Sequence, residues 1–299
     1  MLAGASLTAG RAESFAKKFS IKRAYTDYEA LASDPEIDAI YIATTHNFHF
    51  DNIKLCLENG KHVLCEKPFT VNAQQAKILV ALAKKQQCFM MECVWTRFLP
   101  AIKHLSVLLA QGVIGDVQTV KANFSISGDF SPEHRLRNKD LAGGALLDLG
   151  IYPLTLAALI FSDKPAKIQS SAVLGETGVD ESSFYLLEYA QGQRAVLSSS
   201  FIDGAPTEAI ISGSKGYIRL PNFLAAQKLH LHLGNKAVQT LDFPFEEDES
   251  FTFEIMHALQ CIRQHKSQSD ILPLAKTVAM MTTMDAIRAQ WPLKYSNES

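Results

Sequence analysis

The stretch that decides the fold is IDAIYIATTHNFHFDNIKLCLENGKHVLCEKPF, residues 37–69. A short apolar run, residues 40–43, precedes a segment whose apolar residues recur at helical spacing. Asn59-Gly60 ends that segment, because glycine tolerates the left-handed conformation of a helix end. A second apolar run covers residues 62–65. Strand, helix and strand in this order predict a right-handed parallel crossover and therefore an α/β fold.

Polar residues follow both predicted strands. Thr44-Thr45-His46 comes after the first strand, and Glu66-Lys67-Pro68 comes after the second. In parallel sheets, ligands bind beyond the carboxyl ends of the strands. These two clusters are therefore the first candidates for a binding site.

The composition limits the class of protein. The chain has 299 residues, 47% hydrophobic and 20% charged, which is typical of globular proteins and long enough for two domains. A net charge of −2 gives no basic surface, so nucleic acid is not an expected partner. We expect no membrane span and no signal peptide. Five scattered cysteines without CxxC spacing predict reduced thiols in a cytoplasmic protein.

The pattern of the chain changes after its first third. Alternating strand and helix signals continue to residue 93, whereas short runs of alternating polarity dominate from residue 167 onward. Closely spaced strands joined by turns predict a mostly antiparallel sheet. We expect an α/β Rossmann-like domain over residues 1–94. An α+β domain with a large open sheet should follow over residues 95–299, closed by two C-terminal helices.

Three ordered blocks carry a resemblance to a known family. They are HVLCEKP (62–68), MMECVWTRFLPA (90–101) and GGALLDLGIYP (143–153). The chain resembles the glucose–fructose oxidoreductase, inositol dehydrogenase and MocA (Gfo/Idh/MocA) family, in the branch of dimeric dihydrodiol and xylose-type dehydrogenases. The resemblance implies NAD(P)-dependent hydride transfer with a secondary alcohol of a sugar, polyol or trans-dihydrodiol. It also implies a metal-free site, a cis Lys67-Pro68 bond and a homodimer formed through the C-terminal sheet.

Two features depart from the family pattern. The glycine fingerprint GxGxxG, which lets a pyrophosphate approach a helix N-terminus, is not found, so the first strand–loop–helix unit is expected to be absent. Residues 2–6 then correspond to the second strand, with Ser6 as a candidate cofactor-binding residue. Leu7 stands where the family commonly has an arginine for the 2′-phosphate of NADP, so NAD and NADP both remain candidates. A non-catalytic binding or scaffold protein is the alternative function.

Lys67, Asp148 and Tyr152 are the catalytic candidates. Asp148 and Tyr152 are four residues apart in a predicted helix and share one face. The resemblance makes Tyr152 the general acid/base, Lys67 its electrostatic tuner and Asp148 a partner of substrate hydroxyls. A free tyrosine has a pKa of ~10, so a cationic neighbour is needed near neutral pH. The alternatives are a solvated lysine, a core tyrosine and an aspartate bonded to nearby backbone.

Further residues are candidates for binding the cofactor, and each has a plainer alternative. Trp95 could wall the nicotinamide pocket or fill an interdomain core, and Arg97 could bind a phosphate or form an ordinary ion pair. Glu92 could bind a ribose hydroxyl or be buried and paired. His46 and His49 lack cysteine or acidic partners at ligand spacing, so no metal site is predicted there. The complete cofactor-binding set is Ser6, Thr44, His46, Glu66, Lys67, Glu92, Trp95 and Arg97.

Overall fold

The structure is a computed structural model that describes residues 1–161, 164–246 and 249–296. Its first part alternates short strands and helices, as the sequence predicts. The elements are β1 (Ala3–Ala5), α1 (Arg11–Lys18), β2 (Arg23–Tyr25), α2 (Tyr28–Ser33), β3 (Ala39–Ile42), α3 (His49–Glu58), β4 (His62–Glu66), α4 (Ala73–Lys85) and β5 (Met90–Cys93). The pairing of β3 with β4 is parallel, which confirms the crossover predicted for residues 37–69.

Local signals explain where these elements begin and why they are buried. The Asn72 side chain accepts a hydrogen bond from the Gln75 N–H and so caps α4, and Asp27 caps α2 in the same way. β5 has no exposed residue, and the centre of β4 is fully apolar and buried. A strand that is covered on both faces has a continuous hydrophobic sequence, so β4 and β5 could be predicted from the sequence.

The five N-terminal strands form two parallel sheets, β1-β2 and β3-β4-β5. In the doubly wound fold the strands lie side by side in the order 3-2-1-4-5-6. Here β2 and β1 correspond to positions 3 and 2, and β3, β4 and β5 correspond to positions 4, 5 and 6. None of the strands in the described part of the chain occupies the central position between them. This arrangement agrees with the lack of a glycine fingerprint before β1.

The second part is organised around one large sheet. Its elements are α5 (Pro100–Ala110), β6 (Val117–Ser125), a π-helical turn (Leu146–Gly150), α6 (Ile151–Ile160), β7 (Lys167–Leu174), β8 (Asp180–Glu188), β9 (Arg194–Ser200), β10 (Glu208–Gly213), β11 (Gly216–Leu220), β12 (Lys228–His232), β13 (Gln239–Asp242), α7 (Thr252–Arg263) and α8 (Leu274–Arg288). The strand order is β13-β12-β11-β10-β6-β9-β8-β7, and only β6–β9 pair in parallel. The predicted, mostly antiparallel sheet is confirmed.

Helix α6 lies against one face of this sheet and is almost fully buried. The other face carries exposed apolar side chains, including Val173, Phe184 and Val196. The helical stretch Lys139–Ile160 is long and apolar enough to cross a membrane by length and composition. However, 83% of its apolar window is buried inside the protein, as in a core helix.

Candidate active site

Lys67 lies at the end of β4 and reaches across to the π-helical turn. The Lys67-Pro68 bond is cis, as the resemblance implied. Lys67 Nζ donates to the carbonyl oxygen of Asp148 at 2.6 Å and to its Oδ1 at 3.0 Å. The same Nζ lies 5.0 Å from the centre of the Tyr152 ring. The structure therefore brings all three predicted catalytic residues together.

The backbone around Asp148 is not the regular α-helix that the sequence predicts. Leu146–Gly150 form a π-helical turn, and the Ile151 N–H donates to the Leu146 carbonyl five residues earlier. A π turn shifts the backbone pairing by one residue, and such turns are common at functional sites. Here the carbonyl oxygen of Asp148 accepts from the Lys67 ammonium. The irregular turn thus supplies one of the two oxygens that hold Lys67.

Three basic side chains surround one oxygen of the buried Asp148. Arg135 Nη1 lies 2.6 Å from Oδ1, Lys67 Nζ 3.0 Å and His46 Nε2 3.5 Å. Burial alone would raise the pKa of Asp148, but Lys67, His46 and Arg135 outweigh burial and hold that pKa well below its usual range. Asp148 in turn raises the pKa of Lys67, although burial opposes this. The pair is therefore a charged carboxylate and a charged ammonium.

The Tyr152 hydroxyl lies in an aromatic pocket. Trp95 Nε1 donates to it at 3.1 Å, and the Phe124 ring approaches the Tyr152 ring edge-on at 5.5 Å. Phe251 packs on Trp95 with 5.4 Å between ring centres. Burial raises the pKa of Tyr152 above its usual value of about 10, and the Lys67 ammonium only partly opposes this. The net shift is thus opposite to the lowering expected from the sequence, because burial outweighs the charge.

His49 is a site residue whose role sequence reasoning missed. Its ring nitrogens lie 3.0 Å from the Thr44 carbonyl oxygen and 2.9 Å from the Pro68 carbonyl oxygen. These carbonyls belong to the segments that follow β3 and β4. Burial lowers the pKa of His49 to about 4, so its neutral ring donates one hydrogen bond, to one of these carbonyls, and packs against the other, between the loops that carry His46 and Lys67. Its position three residues after His46 was visible in the sequence, but only the fold reveals both partners.

Arg135 was also missed, and the glycine pair explains how it reaches Asp148. A side chain at Gly143 would lie 2.5 Å from the Arg135 carbonyl oxygen and 2.6 Å from that of Leu136. Gly144 has φ +130°, a conformation that favours glycine. The loop carrying Arg135 can therefore pack directly on the backbone that leads into the π turn.

Two of the predicted cofactor-binding residues make structural contacts instead. Glu92 is fully buried, and its carboxylate accepts from the Phe69 N–H at 3.0 Å. Arg97 is buried and donates to the carbonyl oxygens of Thr155 at 3.4 Å and Ile271 at 3.2 Å. These contacts join neighbouring segments, so they favour the structural alternative for both residues.

The other predicted cofactor-binding residues lie at strand ends. Thr44 Oγ1 accepts from Asn52 Nδ2 at 3.2 Å, and Glu66 accepts from the Tyr41 hydroxyl. Ser6 follows β1 in the separate two-stranded sheet, where its Oγ accepts from the Thr8 N–H at 3.2 Å. Ser6 has no direct contact with the Lys67 cluster among the described residues. Leu7 is exposed, so it adds no charged group at this position.

The nicotinamide end of a dinucleotide fits this arrangement better than its pyrophosphate. Thr44, His46, Glu66 and Lys67 stand at carboxyl strand ends, where ligands of parallel sheets bind. Glu254 on α7 is fully buried, and neither of its carboxyl oxygens has a hydrogen-bond partner in the described residues. Burial raises its pKa well above the usual range, with Glu66 adding to the effect. A buried carboxyl group without a hydrogen-bond partner is expected where a bound group completes the site.

Comparison with known proteins gives the family. The profile for "Oxidoreductase family, NAD-binding Rossmann fold" matches residues 5–93, and that for "GFO/IDH/MocA C-terminal domain" matches residues 102–219. The chain belongs to the Gfo/Idh/MocA oxidoreductase family.

Curated members of similar sequence are the trans-1,2-dihydrobenzene-1,2-diol dehydrogenases. The Xenopus laevis protein is 36% identical, with 95% of this chain and 88% of that protein covered. The human protein is 35% identical, with 96% and 87% covered.

Solved structures of this family share the fold. A 3-ketoreductase from Actinomadura kijaniata, in complex with NADP and TDP-benzene, superposes with a TM-score of 0.86 at 26% identity. That alignment covers 97% of this chain and 89% of the ketoreductase. The aldose-aldose oxidoreductase of Caulobacter crescentus has a TM-score of 0.87 at 21% identity, with 97% and 88% covered. At that identity the second likeness supports the fold alone.

Proposed function

We propose that this Gfo/Idh/MocA member is an NAD(P)-dependent dehydrogenase acting on a secondary alcohol of a sugar, polyol or cyclic diol. The observation that carries the proposal is the convergence of Lys67, Asp148 and Tyr152, which come from different elements. Similarity to diol dehydrogenases and to an NADP-bound ketoreductase supports this substrate class. The nicotinamide, when bound, accepts or delivers the hydride.

In this mechanism the protein moves the proton and orients the alcohol. The Tyr152 hydroxyl exchanges a proton with the substrate oxygen, and Lys67 stabilises negative charge on either oxygen. Asp148 keeps Lys67 charged and in place, and it can also accept a hydrogen bond from a neighbouring substrate hydroxyl. Trp95 donates to Tyr152, so the phenol oxygen has a fixed direction. Trp95, Phe124 and Phe251 give the pocket the apolar wall that a ring substrate requires.

The cofactor is placed by the strand ends. Thr44, His46 and Glu66 are proposed to surround the nicotinamide and its ribose, and Ser6 to lie towards the adenosine. Leu7 offers no partner for a 2′-phosphate, so we propose that the enzyme does not strongly prefer NADP. Losing one charge-assisted hydrogen bond costs about 1.5–3 kcal/mol.

We propose a two-domain enzyme divided near Trp95, working as a cytoplasmic homodimer. The exposed apolar side chains on the free face of the large sheet support pairing of two copies. All five cysteines are buried and free, as expected in a reducing compartment.

The test is Tyr152→Phe, assayed by NAD(P)H absorbance with sugar and diol substrates. Loss of general acid–base catalysis should lower kcat about 10²–10⁴-fold while leaving cofactor affinity nearly unchanged. Tyr217→Phe, at an exposed tyrosine on β11, serves as the control and should keep normal kcat. A normal kcat for Tyr152→Phe would end this mechanism.

The alternative is a binding or scaffold protein without catalysis. Residues 1–299 contain no GxGxxG motif, which is the turn that cradles a pyrophosphate in dinucleotide-binding folds. Calorimetry with NAD and NADP on this chain separates the two functions. Micromolar affinity supports the dehydrogenase, whereas millimolar or weaker affinity with no turnover supports the scaffold.

A further inference from the structure

A second cluster of polar side chains lies outside the candidate active site. His257 and Cys261 are one turn apart on α7, and Asp270 lies in the following segment, residues 266–272. Their ligand atoms all lie within 4.8 Å of one another. The segment also contacts the N-terminal part of the protein, since the Met90 N–H donates to the Ser267 carbonyl at 3.2 Å.

His257 Nε2 has more neighbours than one nitrogen can bond. Ser269 Oγ lies 2.8 Å away, Cys261 Sγ 3.4 Å and Asp270 Oδ1 3.4 Å. A ring nitrogen offers either one proton or one lone pair. Hydrogen bonding alone therefore does not explain why all three side chains converge on this atom.

The hydrogen-bond partners of Ser269 determine whether Nε2 of His257 carries a proton or a lone pair. Ser269 Oγ accepts from the N–H groups of Ile271 at 3.1 Å and Leu272 at 3.0 Å. Its own proton is then donated to His257 Nε2, which must carry a lone pair. The Asp270 carboxylate oxygen thus faces a lone pair with no proton between them, an arrangement that a cation would relieve.

Two of the three donor spacings suit a tetrahedral transition metal, and the third, between Cys261 Sγ and Asp270 Oδ1, lies within 4.8 Å and must shorten by rotation of the exposed Asp270 side chain. Zinc bonds of about 2.0–2.3 Å to nitrogen, oxygen and sulfur place neighbouring ligand atoms roughly 3.3–3.6 Å apart. The two distances of 3.4 Å from Nε2, to Sγ and to Oδ1, fall in that range. Lys266 Nζ holds the other oxygen of Asp270 at 2.9 Å, which orients Oδ1 towards the histidine.

We propose that His257 Nε2, Cys261 Sγ and Asp270 Oδ1 form a binding site for a divalent transition metal, with zinc as the physiological ion. Sulfur, imidazole and carboxylate donors are a set that zinc prefers. Cys261 binds as the thiolate and releases its proton to solvent. Ser269 moves off Nε2 when the metal binds. Asp270 is exposed, which leaves a fourth position for water and a path for the ion.

The bound metal clamps segment 266–272 to α7. Because this segment also bonds to Met90 at the start of β5, the metal stabilises a contact between the N-terminal sheet and the C-terminal helices. A ligand that binds only the folded state raises Tm by mass action. At one hundred times Kd, the expected increase is about 5 °C.

The experiment is titration of the metal-free full-length chain with Co²⁺, followed by competition with Zn²⁺. One equivalent of Co²⁺ should give a thiolate-to-metal charge-transfer band that Zn²⁺ abolishes. Cys261→Ala should lose the band, and Asp270→Asn should weaken Co²⁺ binding at least ten-fold. Asp270 is exposed, so its substitution tests the site even where the cysteine variant fails to fold.

Cys88→Ala is the matched control, because Cys88 is also buried but lies between α4 and β5 rather than on α7. It should bind Co²⁺ like the unmodified chain. The proposal is overturned by the absence of a thiolate band, by unchanged Co²⁺ affinity in Asp270→Asn, or by a zinc-induced rise in Tm that Asp270→Asn retains in full.

Discussion

A single carboxylate oxygen, Asp148 Oδ1, accepts from two cationic side chains in the candidate site. Asp148 raises the pKa of Lys67, so its removal should lower that pKa and let Lys67 lose its proton at lower pH. For Asp148→Asn we expect kcat/KM to fall about one hundred-fold. The basic limb of the pH–rate profile should also move to lower pH. A full pH profile of kcat/KM measures both effects.

Asp140→Asn is the control for this substitution, because Asp140 is an exposed carboxylate that precedes the same glycine pair. It should leave the profile unchanged. An Asp148→Asn enzyme with an unmoved basic limb would show that Asp148 does not set the charge of Lys67.

Glu92 should make the stability of the protein depend on pH. Burial raises its pKa from 4.5 to about 7. A raised carboxyl pKa stabilises the folded state fully below about 4.5, and that contribution is lost as the pH rises to about 7. We expect Glu92→Gln to flatten the loss of unfolding free energy over this range by about 2–3 kcal/mol. Urea denaturation at a series of pH values measures it.

Glu13→Gln is the comparison for this series, since Glu13 is an exposed carboxylate on α1 in the same N-terminal part of the fold. Its curve should follow that of the unmodified chain. The idea fails if Glu92→Gln keeps the full pH dependence.

At the residue scale, the sequence predicted site residues where a reactive side chain stands at a position at which this fold binds ligands. Lys67, Asp148 and Tyr152 could be selected because they stand in the sequence blocks that carry the family resemblance, at a strand end and in a glycine-led helix. Whether Glu92 and Arg97 bind a ligand or the protein backbone depends on side-chain packing, which the spacing of residues in the sequence does not encode. Arg135 lies in a loop without periodicity, so its approach to Asp148 follows only from tertiary contact.

At the scale of elements, the turn at Gly143-Gly144 positions the catalytic helix. A methyl group at Gly143 would meet three backbone carbonyl oxygens, which cannot move as a flexible side chain can. We expect Gly143→Ala to lower the free energy of unfolding by about 1–3 kcal/mol. It should also reduce kcat/KM by displacing the Arg135 loop. Denaturant titration and steady-state assay measure the two effects.

Gly204→Ala is a matched control, because a methyl group there would meet only Ser127 at 3.4 Å or more. It should change the free energy of unfolding by less than about 0.5 kcal/mol. Equal destabilisation by both substitutions would contradict the explanation by close backbone contact.

The predicted elements were confirmed where the pattern was strong. The β3–α3–β4 crossover and the strands of the large sheet follow from apolar runs and alternation. The π-helical turn did not, because its apolar residues fit an α-helix equally well. The parallel pairing of β6 with β9 also could not be predicted, since these strands are far apart in sequence and their order is set only in the assembled sheet.

At the scale of the whole molecule, the free face of the large sheet predicts the oligomeric state. Phe184 and Val196 lie on neighbouring strands, and their side chains are exposed. If two copies pair through this face, Phe184→Asp with Val196→Asp should convert the dimer to a monomer, because a buried unpaired charge is costly. Light scattering after size-exclusion chromatography measures the mass.

Val107→Asp is the control, since Val107 is an exposed apolar residue on α5 rather than on the sheet. It should leave the dimer intact. A double variant that keeps the mass of the unmodified chain would place the interface elsewhere.

The bond from Lys67 to the Asp148 carbonyl and carboxylate has a consequence for motion. It links β4, the central strand of the β3-β4-β5 sheet, to the helix that carries Tyr152. A substrate oxygen that binds the Lys67 ammonium competes with the two Asp148 oxygens and so weakens the link between the sheet and the helix. Binding of the alcohol and relative movement of the two layers should therefore be coupled. Lys67→Met should then leave the layers free to move even without substrate, which hydrogen exchange along α6 would detect.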